Sequence, residues 1–270
     1  MPTYRAPRLF VEADLAAGAG VPLDREQSRY LLKVLRQEAG ALARLFNGRD
    51  GEWAARLSPL GRDRAGLHCE RQLRPPAPTG AGPWVMFSAV KRGPVELIVE
   101  KATELGAAKL LPVRTARSNT DRLNLDRLRR IAIEAAEQSE RLDLPAIEAL
   151  APFDDALAAW PPERALFVGD ETGGGTPALG RMAAAGTTPA GLLIGPEGGF
   201  APDELDALGQ FAFVQPIGLG PRILRAETAA IVGLALLQAT TGDLGDAPRG
   251  VELGNEHGGA TKLGRRPDHI

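Results

Sequence analysis

Residues 191–238 constrain the fold more than any other stretch. They read GLLIGPEGGF, a short polar helix, FVQPIGLGPRILRAET and then an apolar helix. Two predicted strands, 192–194 and 213–217, each empty into a loop rich in Gly and Pro. Gly195, Gly198 and Gly199 permit positive φ and close approach of a ligand, while Pro196 and Pro221 stiffen the turns. In an α/β sheet, loops at strand ends are where small ligands bind. A single turn of this kind is an ordinary strand-to-helix connection. Two in succession, closing on the polar ILRAET before a helix, point to a binding edge.

The chain has 270 residues, enough for one large core or two domains. With 44% apolar and 24% charged residues it is globular rather than disordered. No apolar run reaches the ~18 residues of a membrane span, and the start of the chain lacks a signal-peptide core, so a soluble, cytoplasmic protein is expected. The single Cys69 excludes an internal disulfide. His68, His257 and His269 are too few and too scattered for a histidine metal site, so no metal is expected. Charge is uneven: residues 1–74 carry 13 Lys and Arg against 9 Asp and Glu, residues 75–239 carry 15 against 20. A basic first segment beside an acidic second one suggests a polyanion contact at one end. Of the 32 cations 27 are Arg, which suits bidentate phosphate contacts.

Residues 1–74 read as a small β-rich domain. Strands are predicted over 8–12, 43–46, 52–57 and 67–73, with NGRDG as a hairpin turn between the middle two. A helix is predicted over 24–38, with Asp24 and Gln27 as a capping pair and Tyr30, Leu31, Val34 and Leu35 on one apolar side. Arg25, Arg29, Lys33 and Arg36 then fall along one helix face, an RNA-contact candidate or else a solvated face. A Pro- and Gly-rich linker spans 75–83. From 84 to 240 strands and helices alternate, as in a largely parallel sheet covered by helices. Strands are predicted over 84–90, 110–113 and 165–168. The predicted helices are 94–105, with Pro94 at its first position, 124–141, capped by Asn124, and then 153–160, 202–208 and 226–239. The tail 241–270 is poor in apolar residues and expected to be mobile.

Three loops, GDETGGG (169–175), GPEGGF (195–200) and GLGPRILRAET (218–228), can gather on one sheet edge. A phosphate-binding P-loop fails because no Gly-Lys-Ser/Thr follows Gly169 or Gly195. A dinucleotide fingerprint fails because Ile223 stands where the third Gly should be.

LIGPEGGF followed by LGPRILRAETAA resembles the signature of the RsmE family, the 16S ribosomal RNA (uracil-N3)-methyltransferases of the SPOUT class, which use S-adenosylmethionine. The resemblance extends through SRYLLKVLR (28–36), KRGPVELIVEKATELGA (91–107), RTARSN (114–119) and EAAEQSER (134–141), covering roughly residues 5–240. It implies an N-terminal PUA-like β-barrel and a C-terminal SPOUT α/β domain with a deep trefoil knot over about 165–238. It also implies a homodimer acting on 16S rRNA, within the small ribosomal subunit. For the cofactor it points to Val168, Gly169, Gly195, Pro196, Glu197, Gly198, Ile217, Leu219, Gly220, Ile223, Leu224 and Arg225.

Methylation at uracil N3 must remove a proton and place the acceptor in line with the methyl group. Charge developing on uracil O2 and O4 calls for fixed donors, and Arg117 and Arg225 are the candidates. Arg225 can instead brace its loop by pairing with Glu227. Glu197 is the candidate base, or else a structural carboxylate holding the backbone of its turn. Glu137 and Arg141 share a helix side and can pair, and Gln138 and Arg141, with Arg117, are candidate RNA contacts. Lys101 and Glu104 are expected to hold their helix against its neighbours. Tyr30 and Trp53 are assigned to the core rather than to a stacking platform. Two alternatives stay open: a SPOUT methyltransferase acting on a ribose 2′-hydroxyl or another base, and a non-catalytic RNA-binding or ribosome-assembly factor.

Overall fold

The computed structural model describes residues 6–246 apart from 62, 77–79, 81, 119, 171, 173 and 187. Most of the expected tail, from 247 onward, lies outside the described residues, as do part of the linker and Asn119 of RTARSN.

The first unit is a five-stranded sheet of β1 (Arg8–Phe10), β2 (Gly20–Pro22), β3 (Leu42–Phe46), β4 (Glu52–Pro59) and β5 (Ala65–Arg74), in the order β1-β3-β4-β5-β2. The NGRDG turn joins β3 to β4 in an antiparallel pair, as its composition predicts. Leu9, Leu31, Leu45, Leu57 and Leu67 fill the centre of this unit.

The helix predicted over 24–38 is not continuous. Helix α1 (Arg25–Arg29) starts with the predicted capping box: Asp24 Oδ1 accepts from Gln27 N at 2.7 Å and Gln27 Oε1 from Asp24 N at 3.4 Å. A π-helical turn follows over Tyr30–Val34. The wider turn points Leu31 into the core, with Leu32 and Leu35 packed against it, and turns Tyr30 and Val34 out to 39% and 63% exposure. Tyr30 and Val34 therefore do not belong to the apolar side. Nor do the four cations form one α-helical stripe: Lys33 lies in the π turn, and Arg36, with φ +51, lies beyond it.

The second unit is one eight-stranded parallel sheet. Its strands are β6 (Trp84–Ser88), β7 (Lys109–Arg114), β8 (Ala146–Ile147), β9 (Ala151–Pro152), β10 (Ala165–Gly169), β11 (Thr176–Pro177), β12 (Ala190–Ile194) and β13 (Val214–Gly218). The order is β11-β13-β10-β12-β6-β7-β8, with β9 also on β7. Its central strands read as continuous apolar runs because both faces are covered. Val85, Phe87, Phe167, Leu192 and Ile194 meet α2 (Arg92–Glu104), α3 (Leu125–Ser139), α5 (Ala178–Ala184) and α7 (Ala226–Thr241). Met86, Leu166, Val168 and Leu193 meet α4 (Phe153–Ala158) and α6 (Pro202–Gly209) on the other face. Asn124 caps α3 as predicted, its Oδ1 accepting from Arg127 N at 3.0 Å. Helix α2 begins at Arg92, so Pro94 is its third residue, not its first.

The two units meet at β1 and α3. Phe10, Phe46 and Ala136 form a small apolar cluster there. Around it Arg8 Nε donates to Glu52 at 2.6 Å, and its other nitrogens to the carbonyls of Ala136 and Arg141. Arg44 pairs with Glu140 at 2.7 Å and Arg74 with Glu52 at 2.8 Å. Burial pushes the Arg8 guanidinium down to about 10 against the pull of Glu52. Arg141 is buried in this junction, donating to Asp143 at 2.7 Å and to the Thr103 carbonyl at 3.1 Å. That corrects two expectations: Arg141 does not pair with Glu137, and its guanidinium is spent inside the fold rather than offered to RNA. Glu137 instead accepts from Phe10 N at 2.9 Å. Lys101 pairs with Glu104 at 2.8 Å within α2, so the pair braces that helix internally rather than against its neighbours.

Candidate functional site

Strands β13, β10 and β12 are neighbours and parallel, so their carboxyl ends lie side by side. The three Gly-rich loops leave from those ends and therefore converge. Strand β13 lies between β10 and β11, so it runs inside the arc formed by the loop after β10. The approach is close: a Cβ on Gly175 would sit 2.6 Å from the Ile217 carbonyl carbon. In the GPEGG turn Gly199 N donates to Pro196 O at 2.9 Å. Only Gly199 of its three glycines takes positive φ, at +71.

The loops enclose a cavity of about 770 Å³. Nine of the sequence-predicted cofactor residues line it: Val168, Gly169, Gly195, Pro196, Glu197, Leu219, Gly220, Ile223 and Leu224. Three do not. Ile217 is fully buried and supports the loops from beneath, Gly198 faces Arg117, and Arg225 is the exposed N-cap of α7. Lining residues missed from the sequence include Asp170, Thr172, Leu208, Phe211, Val214 and Pro216. Phe211 and Val214 flank the start of β13, and an apolar residue just before a ligand-bearing strand was the available signal.

Arg117 is exposed and donates through Nη1 to the Gly198 carbonyl, which joins RTARSN to the GPEGG loop. Its turn is fixed by three hydroxyls. Ser88 Oγ lies 2.8 Å from Thr115 Oγ1 and 2.9 Å from Ser118 Oγ, which also accepts from Thr115 N. Glu204, 9% exposed, completes the link: Oε1 accepts from Ala116 N and Oε2 from Ala201 N, both at 2.7 Å. The structural carboxylate is thus Glu204, not Glu197. Glu197 is exposed on the cavity wall and makes no hydrogen bond or ion pair among the described residues. Arg225 does not pair with Glu227, whose Oε2 is buried without a hydrogen-bond partner among the described residues.

Of the RNA-contact candidates, Arg25, Arg29, Lys33, Arg36, Arg117 and Gln138 are all exposed, and Lys33 pairs with Asp63 at 3.0 Å. Among the described residues no group of three or more His, Cys, Asp or Glu is placed to hold a metal, and no helix is long and apolar enough to cross a membrane.

Residues 83–238 match the model of the RNA methyltransferase domain, and residues 23–66 that of the RNA methyltransferase PUA domain. The ribosomal RNA small subunit methyltransferase E of Rickettsia conorii is 32% identical over 229 residues, 84% of this chain and 93% of that protein. The Synechocystis protein of the same name is 35% identical, over 87% of this chain and 78% of its own length. A crystal structure of the Neisseria gonorrhoeae protein of that name, bound to S-adenosylmethionine, superimposes with a TM-score of 0.77 at 27% identity, covering 89% of this chain and all of that one. A methyltransferase from Legionella pneumophila in complex with the same cofactor reaches 0.80 at 26% identity, with the same coverage. With a PUA domain joined to a parallel SPOUT sheet and relatives matched over most of its length, the chain belongs to the ribosomal RNA small subunit methyltransferase E family.

Proposed function

We propose that this protein transfers the methyl group of S-adenosylmethionine to N3 of a uridine in 16S rRNA, within the small ribosomal subunit and in the cytoplasm. The observation that carries this reading is the cavity closed by three loops at adjacent strand ends, in a chain whose structural relatives from Neisseria and Legionella hold that cofactor. The cavity suits such a molecule. Its volume of about 770 Å³ lies within the range of small-ligand sites, and its walls combine loop main chain with apolar Leu208, Phe211, Val214 and Leu219. Glu227 Oε2, next in sequence to the lining residue Ala226, adds a buried acceptor without a hydrogen-bond partner among the described residues.

Bound there, the cofactor supplies an activated methyl group on a sulfonium. The chain's task is to make uracil N3 nucleophilic, since the neutral nitrogen holds a proton and shares its lone pair with the ring. Glu197, free on the cavity wall, takes the N3 proton. Arg117 and Arg225 donate to O2 and O4 as negative charge spreads onto them. Gly198 supports the Arg117 side of the pocket and Ile217 its floor. The first domain (1–74), with Arg25, Arg29, Lys33 and Arg36, binds rRNA together with Gln138. Residues 75–83 link it to the transferase domain (84–240).

The placement of β13 between β10 and β11 supports the threaded, knotted path over about 165–238. Ile223 and Leu205, 86% and 44% exposed and both lining the cavity, are the apolar surface that a second copy would cover in a homodimer.

Titration with S-adenosylmethionine in a calorimeter is expected to show binding, and no binding would overturn the reading. Incubation of small subunits with labelled cofactor, followed by mapping of the modified nucleotide, is expected to place the label on uracil N3. Label on a ribose 2′-oxygen would sink the base assignment.

A further inference from the structure

The π turn at Tyr30–Val34 places two apolar side chains where folding alone does not want them. Ser28, buried, accepts from Ala65 N at 3.2 Å and pins the end of α1 to the sheet. Beyond it Leu31 must fill the core, with Leu32 and Leu35 against it. A π turn satisfies all three, and its closing bond, Leu35 N to Tyr30 O at 2.9 Å, holds Tyr30 and Val34 one turn apart on the outer side. Arg36 leaves the turn in the left-handed region, a conformation that costs a non-glycine residue free energy and recurs at binding sites. Arg25, Arg29 and Arg36 are exposed around this patch and form no ion pair among the described residues, whereas Lys33 is held by Asp63.

We propose that Tyr30 and Val34 form a stacking platform for an unpaired base of the RNA substrate, with Arg25, Arg29 and Arg36 on the flanking phosphates. This rests on the RNA-methyltransferase reading and adds to it the site on the first domain that receives single-stranded RNA. Protein recognition of RNA sequence works on unstacked bases laid against aromatic rings, and a cationic surround tracks the backbone. The charge decides the occupant: a patch carrying a ring, an aliphatic side chain and three guanidiniums without an ion pair among the described residues complements a polyanion with exposed bases. A purely apolar protein partner would leave those charges unmatched.

The test is the affinity of small subunits or deproteinised 16S rRNA for Tyr30→Ala, Tyr30→Phe and Arg25→Ala/Arg29→Ala, measured by filter binding across a salt series. Tyr30→Ala is expected to weaken RNA binding about 10-fold, while Tyr30→Phe, which keeps the ring, stays within about 2-fold of wild type. The double Arg variant is expected to reduce the slope of log K against log salt by about 1.5. Affinity for S-adenosylmethionine and melting temperature serve as fold controls and are expected to stay at wild-type values. Unchanged RNA affinity in Tyr30→Ala, in a wild type that binds RNA, overturns the platform alone. RNA binding that depends on Tyr30 in a protein that neither binds the cofactor nor methylates would uphold the platform and overturn the enzymatic reading. A wild type that binds no RNA overturns both.

Discussion

The domain junction and the loop edge of the sheet are both polar, and they are built in opposite ways. At the junction nearly every charged group has a partner inside the chain: Arg8 and Arg74 on Glu52, Arg44 on Glu140, Arg141 on Asp143. Arg8, Arg44, Glu52 and Arg141 are all buried. At the loop edge Glu197 and Arg225 are exposed with no ion pair among the described residues, and the cavity is shaped by main chain, Pro and Gly. Polar groups satisfied by one another fix geometry and leave nothing for a ligand. Groups left over are what a ligand can use. The junction therefore sets where the first unit sits, and the loop edge keeps its polar groups exposed around a cavity. Glu204 and Arg117 belong to neither extreme: each uses its own bonds to tie the RTARSN turn to the cofactor loop.

The sharpest way to break this contrast is Glu52→Ala. It removes the carboxylate that Arg8 and Arg74 share in a buried place, leaving three guanidiniums close together with Glu140 on Arg44, and loss of one partner of a buried pair costs about 3–5 kcal/mol. A fall in melting temperature of about 10 °C is expected, with unchanged cofactor affinity for the folded fraction. Cofactor affinity that falls with stability would show that the two regions are one cooperative site.

Arg225→Ala is the converse. The side chain is exposed and caps α7 through its backbone alone, so the melting temperature is expected to hold. Methylation of small subunits is expected to drop about 100-fold, the scale of a lost transition-state donor. Wild-type turnover in that variant would remove Arg225 from the site.

The smallest effect lies in Glu137, at the edge of the junction. Burial pushes its carboxyl up to about 7, against the Phe10 N–H and the charge of Arg8. The folded state then keeps a proton that the unfolded chain releases near pH 4.5, so stability falls as pH rises from about 4.5 to 7 and stays low above it. Glu137→Gln removes that penalty while keeping an acceptor for Phe10. A gain of about 1 kcal/mol at pH 8, vanishing near pH 4.5, is expected in thermal melts. Equal gains at both pH values would show that the carboxyl is not protonated in the fold.

Much of this was legible in the chain itself. The central strands β6, β10 and β12 showed as apolar runs because both sheet faces are covered. NGRDG and the Asp24–Gln27 and Asn124 caps were visible because their partners lie within a few residues. Nine of twelve cofactor candidates reached the cavity wall because loop chemistry is local. The misses share a cause. The α-helical period could not foresee that Leu31, Leu32 and Leu35 would all turn inward, which needs a π turn and expels Tyr30 and Val34. Spacing put Arg141 beside Glu137, but Glu140 leaves the helix at φ +59 and turns Arg141 into the junction.

Nine of the thirteen strands among the described residues and the three loops can be read from the chain, since each rests on residues adjacent in it: alternating or continuous apolar patterns, Gly where backbone must turn, Pro where it must stiffen; the short β2, β8, β9 and β11 and helix α5 leave no such pattern. Which groups meet depends on how the elements pack. Glu204 bonds Ala116 across 88 residues, Arg8 reaches the Ala136 carbonyl across 128, and β13 enters between β10 and β11. Such pairings leave no mark on local spacing. They follow from the packing of whole elements, which sets which carboxylate braces a loop and which stays exposed on the cavity wall.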